Sequence, residues 1–269
     1  MKAIKEQYHF KEGQNLLEFN PSDTSCFPIG RTQAEEELFV LRAEFDDLQE
    51  LLYAQGKYRI LIVLQGMDTA GKDGLIRGVF RGVNPKGVKV VNFKAPSAEE
   101  LNHDYLWRIH QNTPSKGEIV IFNRSHYEDV LAVRVHNYVP KKVWKRRYKH
   151  INDFEEMLVD EGTIVLKFFL HISKDEQKKR LRNRLKSPEK SWKVSEGDFK
   201  ERQLWDKYQE AFNVVFQKTS TEKAPWYVIP SNNKWYRNLV VASILLTTIK
   251  GLNIELPKTD PKLIKRTVK

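Results

Sequence analysis

Five short apolar runs, separated by helix-length segments, predict a three-layer α/β/α fold on a five-stranded parallel sheet. The runs are RILIVLQ (59–65), VKVVNF (88–93), EIVIFN (118–123), TIVLKFFLHI (163–172) and WYVIP (226–230). They are apolar on both parities, as strands buried on two faces require. A long charged insert at about 173–218 adds a helical pair that reads as a lid. The 269 residues are read as one domain.

The elements follow in order. Residues 1–31 are punctuated by Pro21, Pro28 and Gly30 and read as irregular. Thr32 and Glu35 form a T-x-x-E capping box that should open a helix. Leu38, Leu41, Phe45, Leu48 and Leu52 continue it as one apolar stripe, and Gly56 ends it. An acidic extension and helix therefore fill 1–56, and the helix could pack on its own domain or on a second subunit. In the insert, Ser173/Glu176 and Ser195/Asp198 read as caps of helices at about 174–187 and 196–218, joined by a loop around SPEKSWK (187–193). The first of these is too basic to be a buried helix. A closing amphipathic helix at about 234–250 should return to the sheet, and a basic tail ends the chain.

Charge is unevenly spread. The net charge is +11, yet residues 1–50 hold 5 basic and 11 acidic side chains. Residues 130–152 hold 7 basic and no acidic side chains, and 174–193 hold 9 against 3. The excess implies an anionic partner, although two solvated helix faces would give the same pattern. One cysteine, Cys26, excludes an internal disulfide or a Cys-based zinc site and fits a cytoplasmic protein. The longest apolar run, Leu239–Leu246, is too short to span a membrane, and the first residues lack a signal-peptide pattern.

Residues 66–73 read GMDTAGKD. Gly66, Gly71 and Lys72 match G-x-x-x-x-G-K-[ST], but Asp73 replaces the final hydroxyl residue. The loop follows a predicted strand and opens a helix, the context that a phosphate cradle needs. There the glycines expose backbone N–H groups, and Lys72 pairs with the transferring phosphate. A plain strand–turn–helix connection is the structural alternative. The missing hydroxyl normally holds Mg²⁺. A carboxylate beside polyanionic phosphate is repulsive unless a metal lies between them, so Asp68, with Asp73 second, is the candidate metal contact. Asp73 equally reads as a partner of the helix N-terminus.

The third strand ends in Asn123, followed by Arg124, Ser125, His126, Tyr127, Glu128 and Asp129. Polar residues beyond a strand's C-terminal end mark the ligand crevice of an α/β sheet. Arg124 suits bidentate phosphate contact. His126 reads as structural. In the insert, Arg180 and Arg184 share a helical face that would meet the phosphates on closure. The block KKVWKRRYK (141–149) could line an approach, with Trp144 and Tyr148 as packing residues.

Together these residues resemble the polyphosphate kinase type 2 family. GMDTAGKDG (66–74) looks like its variant phosphate loop and FNRSHYEDVL (122–131) like the segment ending its third strand. Arg180 and Arg184 through PEKSWKVSEGDFKER (188–202) look like its lid, and NFKAP (92–96), LWRIH (106–110) and TSTEKAPW (219–226) add support. The resemblance covers about 35–250. It implies a P-loop kinase fold similar to thymidylate kinase, with reversible transfer between inorganic polyphosphate and AMP or ADP. ADP or ATP is the product, and guanine nucleotides are further candidates. Mg²⁺ is the implied cofactor, with Mn²⁺ a second candidate. Asp68, Lys72, Arg124, Arg180 and Arg184 are the implied catalytic set, with Asp68 on the metal. Phosphate and nucleotide binding falls to Gly66, Met67, Thr69, Ala70, Gly71, Asp73, Gly74, Lys94, Asn123, Glu128, Asp129 and Arg134. Many members have Asp at the Asn123 position, which puts metal ligation there in doubt. Glu128 stands where many nucleoside-diphosphate-specific members have Asn and points to the branch that takes AMP as well. A homo-oligomer is expected, without membrane or nucleic-acid partners. An ATP-dependent nucleoside-monophosphate or small-molecule kinase, and a nucleic-acid-binding protein, are the rival readings.

Overall fold

The computed structural model describes residues 2–189, 191–258 and 260; Lys190 of the insert loop and the basic tail at 261–269 lie outside them. The strands are β1 Arg59–Gln65, β2 Val88–Asn92, β3 Ile119–Asn123, β4 Thr163–His171 and β5 Trp226–Pro230. All pair in parallel, in the order β2-β3-β1-β4-β5. The helices are α1 Lys2–Tyr8, α2 Arg31–Gln55, α3 Lys72–Val79, α4 Ala98–Leu101, α5 Trp107–His110 and α6 Ala132–Val135. They continue with α7 Lys141–Asp160, α8 Lys174–Leu185, α9 Glu196–Gln203, α10 Trp205–Thr219 and α11 Lys234–Lys250. Helices α2, α3 and α11 pack together, as do α7 and α10, with α11 and α7 against sheet strands.

β1 lies at the centre, with Leu64 beside Asn123 of β3 and Gln65 beside Phe169 of β4. It is buried along almost its whole length, as its two-parity apolar run requires. After β3 the chain crosses β1 to reach β4, so the crevice of the sheet opens at β1. The edge strand β2 is largely exposed. The other edge, β5, is covered: Phe10 N–H donates to Trp226 O at 2.8 Å and His9 bridges Tyr227. This cover blunts an edge that would otherwise invite pairing.

Several expectations need correction. The T-x-x-E box does not form. α2 starts two residues earlier than that box would set it, with Gly30 as an extended N-cap that gives no side-chain bond. Glu35 instead pairs with Arg31 at 2.8 Å, one turn away. The irregular N-terminal stretch contains α1, whose Ile4 and Tyr8 are buried. Two anchors one turn apart are too few to show a period. The acidic helix packs on its own chain, against α11, through Ala34, Leu38, Leu41, Phe45 and Leu52. The second insert helix is two: α9 and α10 meet at Leu204, which leaves helical geometry at φ −91°, ψ 12°. The first, α8, is not fully exposed despite its charge, because Gln177, Arg180 and Leu181 are buried. Ser173 caps it by accepting from Glu176 N–H, but the Glu176 carboxylate turns to Arg180 rather than closing the box. Among the described residues no helix is long and apolar enough to cross a membrane.

Candidate active site

The loop after β1 is built by backbone geometry that few sequences supply. Gly71 sits at φ +101° and Thr69 at φ +66°, both left-handed. The turn is closed by Ala70 N–H donating to Met67 O at 3.0 Å. A Cβ on Gly66 would lie 2.9 Å from Leu170 O, so the loop needs glycine to pass β4. Lys72 opens α3 and folds back, donating to Gly66 O at 2.8 Å. Burial and the neighbouring Arg124 cation draw the Lys72 ammonium below its usual range. The Thr69 hydroxyl is buried without a partner.

At the adjoining strand end, Arg124 takes φ +62°, a left-handed strain of the kind that clusters at functional sites. Its N–H is held by Leu64 O at 3.1 Å, and its guanidinium donates to Asp68 Oδ1 at 3.0 Å. Asn123 donates to Asp73 Oδ1 and to Asn92 Oδ1, both at 2.8 Å. The first turn of α3 and the ends of β2 and β3 are thereby tied together at one point.

The short turn His126–Asp129 carries the next carboxylates. Burial pushes the Glu128 carboxyl up, against the opposing pull of Arg124 and Lys72. The Gln65 amide, oriented by its surroundings, donates to Glu128 at 3.1 Å and accepts from Ser125 Oγ at 3.2 Å. Asp129 lies between Arg147, at 3.2 Å, and Arg108, at 3.7 Å. The turn is anchored from behind by a buried network, in which Glu155 meets His126 at 3.1 Å, Lys167 at 2.6 Å and Tyr127 at 2.8 Å. His126 is therefore structural, as expected.

These elements open into a cavity of about 640 Å³. Gly66, Met67, Asp68, Lys94, Arg124, Glu128 and Asp129 line it, opposite Tyr208, Phe212 and Glu201 from the insert. Thr69, Ala70, Gly71, Asp73 and Gly74 form the loop and the first turn behind it. Three predicted residues lie elsewhere. Arg134 pairs with Glu210 and covers the Trp144 ring, outside the cavity wall. Arg184 is partly buried and outside the wall. Arg180 is behind the loop, 7% exposed, donating to Thr69 O at 3.1 Å and Ala70 O at 2.9 Å. Its charge is masked by Glu176 at 2.7 Å. Trp144 and Tyr148 are buried, the packing role expected of them.

Sequence reasoning missed Arg108, Arg147, Gln177 and Arg237. Gln177 donates to Asp68 O at 3.0 Å and lines the cavity. Arg108 and Arg147 stand inside segments quoted for other reasons, and nothing in their spacing separates them from surface arginines. Arg237 had a legible signal: one arginine just before the apolar run Leu239–Leu246.

Phosphoryl transfer on such loops generally uses a divalent cation that bridges the phosphates. The residues present fit one. Asp68, Asp73 and Asn123 supply hard oxygen donors beside the loop. Among the described residues no group of three or more His, Cys, Asp or Glu converges. A divalent cation held by one or two carboxylates completes its shell with phosphate and water.

A sheet whose central strand runs into a phosphate loop is the architecture of the P-loop phosphotransferases, and this chain is one of them. The family model described as polyphosphate kinase 2 (PPK2) matches residues 29–257. The chain belongs to that family. It is 58% identical to the AMP/ADP-polyphosphate phosphotransferase of Meiothermus ruber, over 91% of this chain and 92% of that one. It is 42% identical to the ADP-polyphosphate phosphotransferase of Rhodopseudomonas palustris, over 97% and 95%. The crystal structure of polyphosphate kinase 2 from Arthrobacter aurescens TC1 superposes with a TM-score of 0.93 at 44% identity, covering 96% of this chain and 92% of that one.

Proposed function

We propose that this chain is a polyphosphate-dependent nucleotide kinase that transfers phosphoryl groups reversibly between inorganic polyphosphate and AMP or ADP. The observation that carries the reading is the grouping of Lys72 with Arg124 and Asp68, of which Arg124 and Asp68 line a cavity large enough for a nucleotide and Lys72 folds back onto its Gly66 wall. The 58% identity to a relative named AMP/ADP-polyphosphate phosphotransferase supports both acceptors, as does Glu128 in the cavity wall.

In the forward direction a phosphate oxygen of the nucleotide attacks the terminal phosphorus of the chain. The bond from that phosphorus to its bridging oxygen breaks, and polyphosphate leaves one unit shorter. No covalent enzyme intermediate is needed, so catalysis is positioning and charge neutralisation. Lys72 and Arg124 meet the negative charge on the transferring group. Asp68 would hold Mg²⁺, or Mn²⁺ in its place, with Asp73 and Asn123 beside it. That ion, when bound, neutralises phosphate charge. The loop N–H groups hold the phosphates, and Glu128, Asp129 and Lys94 face the nucleotide. Arg184 approaches only if the insert closes, which would also exclude water and suppress hydrolysis. The reading further includes one domain over 1–269, guanine nucleotides as further acceptors, a homo-oligomeric assembly and a cytoplasmic location.

The test supplies polyphosphate and Mg²⁺ with AMP or ADP and resolves the nucleotides by chromatography. ADP and ATP should form from AMP, and ATP from ADP. ADP use without AMP use would remove the Glu128 argument alone. Turnover with ATP as donor but none with polyphosphate would replace the reading with an ATP-dependent kinase.

A further inference from the structure

Two buried arginines grip the phosphate loop from behind, and only one has a carboxylate. Arg180 pairs with Glu176, as described above. Arg237, on α11, is 1% exposed. It donates to Ala70 O and Gly71 O, each at 3.2 Å, and to Asn238 Oδ1 at 3.1 and 2.8 Å. Among the described residues no carboxylate pairs with it, and its charged neighbour is Arg180. Burial and that neighbour draw it down to about 9, so it remains a cation at neutral pH.

Its hydrogen bonds do not account for so unfavourable a burial. Ala70 O already accepts from Arg180 at 2.9 Å, and Gly71 O already accepts from Leu75 N–H at 2.9 Å. What Arg237 uniquely adds is charge, placed as close as the backbone allows. A Cβ on Gly71 would lie 2.3 Å from Arg237 Nη1, so the loop glycine makes room for the guanidinium. The peptide groups are trans and planar. Carbonyls of Ala70 and Gly71 drawn toward the arginines therefore turn the N–H groups of Gly71 and Lys72 the opposite way.

We propose that Arg237 is a positioning residue whose missing counterion is the substrate's own phosphate. It holds the loop carbonyls back and keeps one uncompensated positive charge beneath the cradle. Part of the cost of burying that cation is returned when a polyanion binds. The proposal rests on the reading of this loop as the phosphate site.

Asn238 provides the discriminating test, because its Oδ1 already contacts the guanidinium. Asn238→Asp adds an internal counterion with almost no change of shape. The full-length protein is titrated with tripolyphosphate by calorimetry at fixed salt, and its thermal midpoint is read without ligand. Asn238→Asp should raise the midpoint and weaken tripolyphosphate binding by about tenfold or more. Arg237→Met should weaken binding similarly, whereas Arg237→Lys should stay within about threefold of the parent. In turnover the loss should fall on KM for the phosphate donor more than on kcat. Parent-like affinity in Asn238→Asp overturns the proposal, and that variant decides if Arg237→Met does not fold. A parent protein that fails to bind tripolyphosphate overturns the phosphate-site reading, and this proposal with it.

Discussion

Arg124 Nη2 lies 3.0 Å from Asp68 Oδ1, so the end of β3 is closed onto the phosphate loop by an ion pair. The pair is partly exposed, at 43% and 29% of the two side chains, and its static contribution to stability is small. Its consequence is functional. On the proposed function, a bound cation and a polyphosphate would compete for Asp68 and Arg124 respectively, and the pair would open as they bind.

Asp68→Asn should therefore leave folding nearly unchanged while lowering magnesium-dependent kcat by about 100-fold. The magnesium concentration for half-maximal rate should rise. Titrating Mg²⁺ in steady-state assays checks both, and full activity in this variant would remove Asp68 from the metal.

Asn123→Asp converts a donor that serves two oxygens into a third acceptor. Asp73 and Asn92 then lose their bonds at 2.8 Å and face another carboxylate. The free variant should lose about 1–3 kcal/mol. Millimolar Mg²⁺ should restore more stability to it than to the parent. Thermal midpoints with and without Mg²⁺ decide the matter.

The Glu128 carboxyl is pushed up by burial, so its folded value exceeds the unfolded one. Such a group favours the fold when protonated, and that contribution is lost as pH rises through the folded value. Glu128→Gln should therefore raise the thermal midpoint at pH 8. The gain should shrink as pH falls toward the ordinary carboxylate range. The same variant should lose AMP use before ADP use, as a substrate comparison would show.

Arg180 and Arg184 should separate. Arg180→Ala removes the donor to four backbone carbonyls and strands the Glu176 carboxylate, costing about 3–5 kcal/mol. Arg184→Ala should leave stability within about 0.5 kcal/mol and lower kcat. Urea midpoints beside kcat values test this. Equal stability in both variants would refute the clamp role of Arg180.

The buried strands were legible because two-sided burial writes continuous apolar runs, and RILIVLQ and WYVIP gave the central β1 and the covered edge strand β5 to the residue. The loop was legible because glycine and lysine at fixed spacing carry their own mechanism. The exchange between Arg180 and its expected place was not legible. Helical spacing puts Arg180 and Arg184 on one face, but only the fold decides which of them reaches under residues 69–71. The T-x-x-E box misled for a similar reason. Thr32 has the right neighbours, yet Gly30 and the Arg31–Glu35 pair start the helix sooner.

The most direct measurement follows donor and acceptor together. Polyphosphate of defined length is incubated with ADP, Mg²⁺ and the full-length chain, and phosphate chain ends and nucleotides are quantified in the same samples. One ATP should appear for each unit removed from the chain, with little free phosphate. Chain shortening that releases free phosphate without ATP, or no shortening at all, would contradict it.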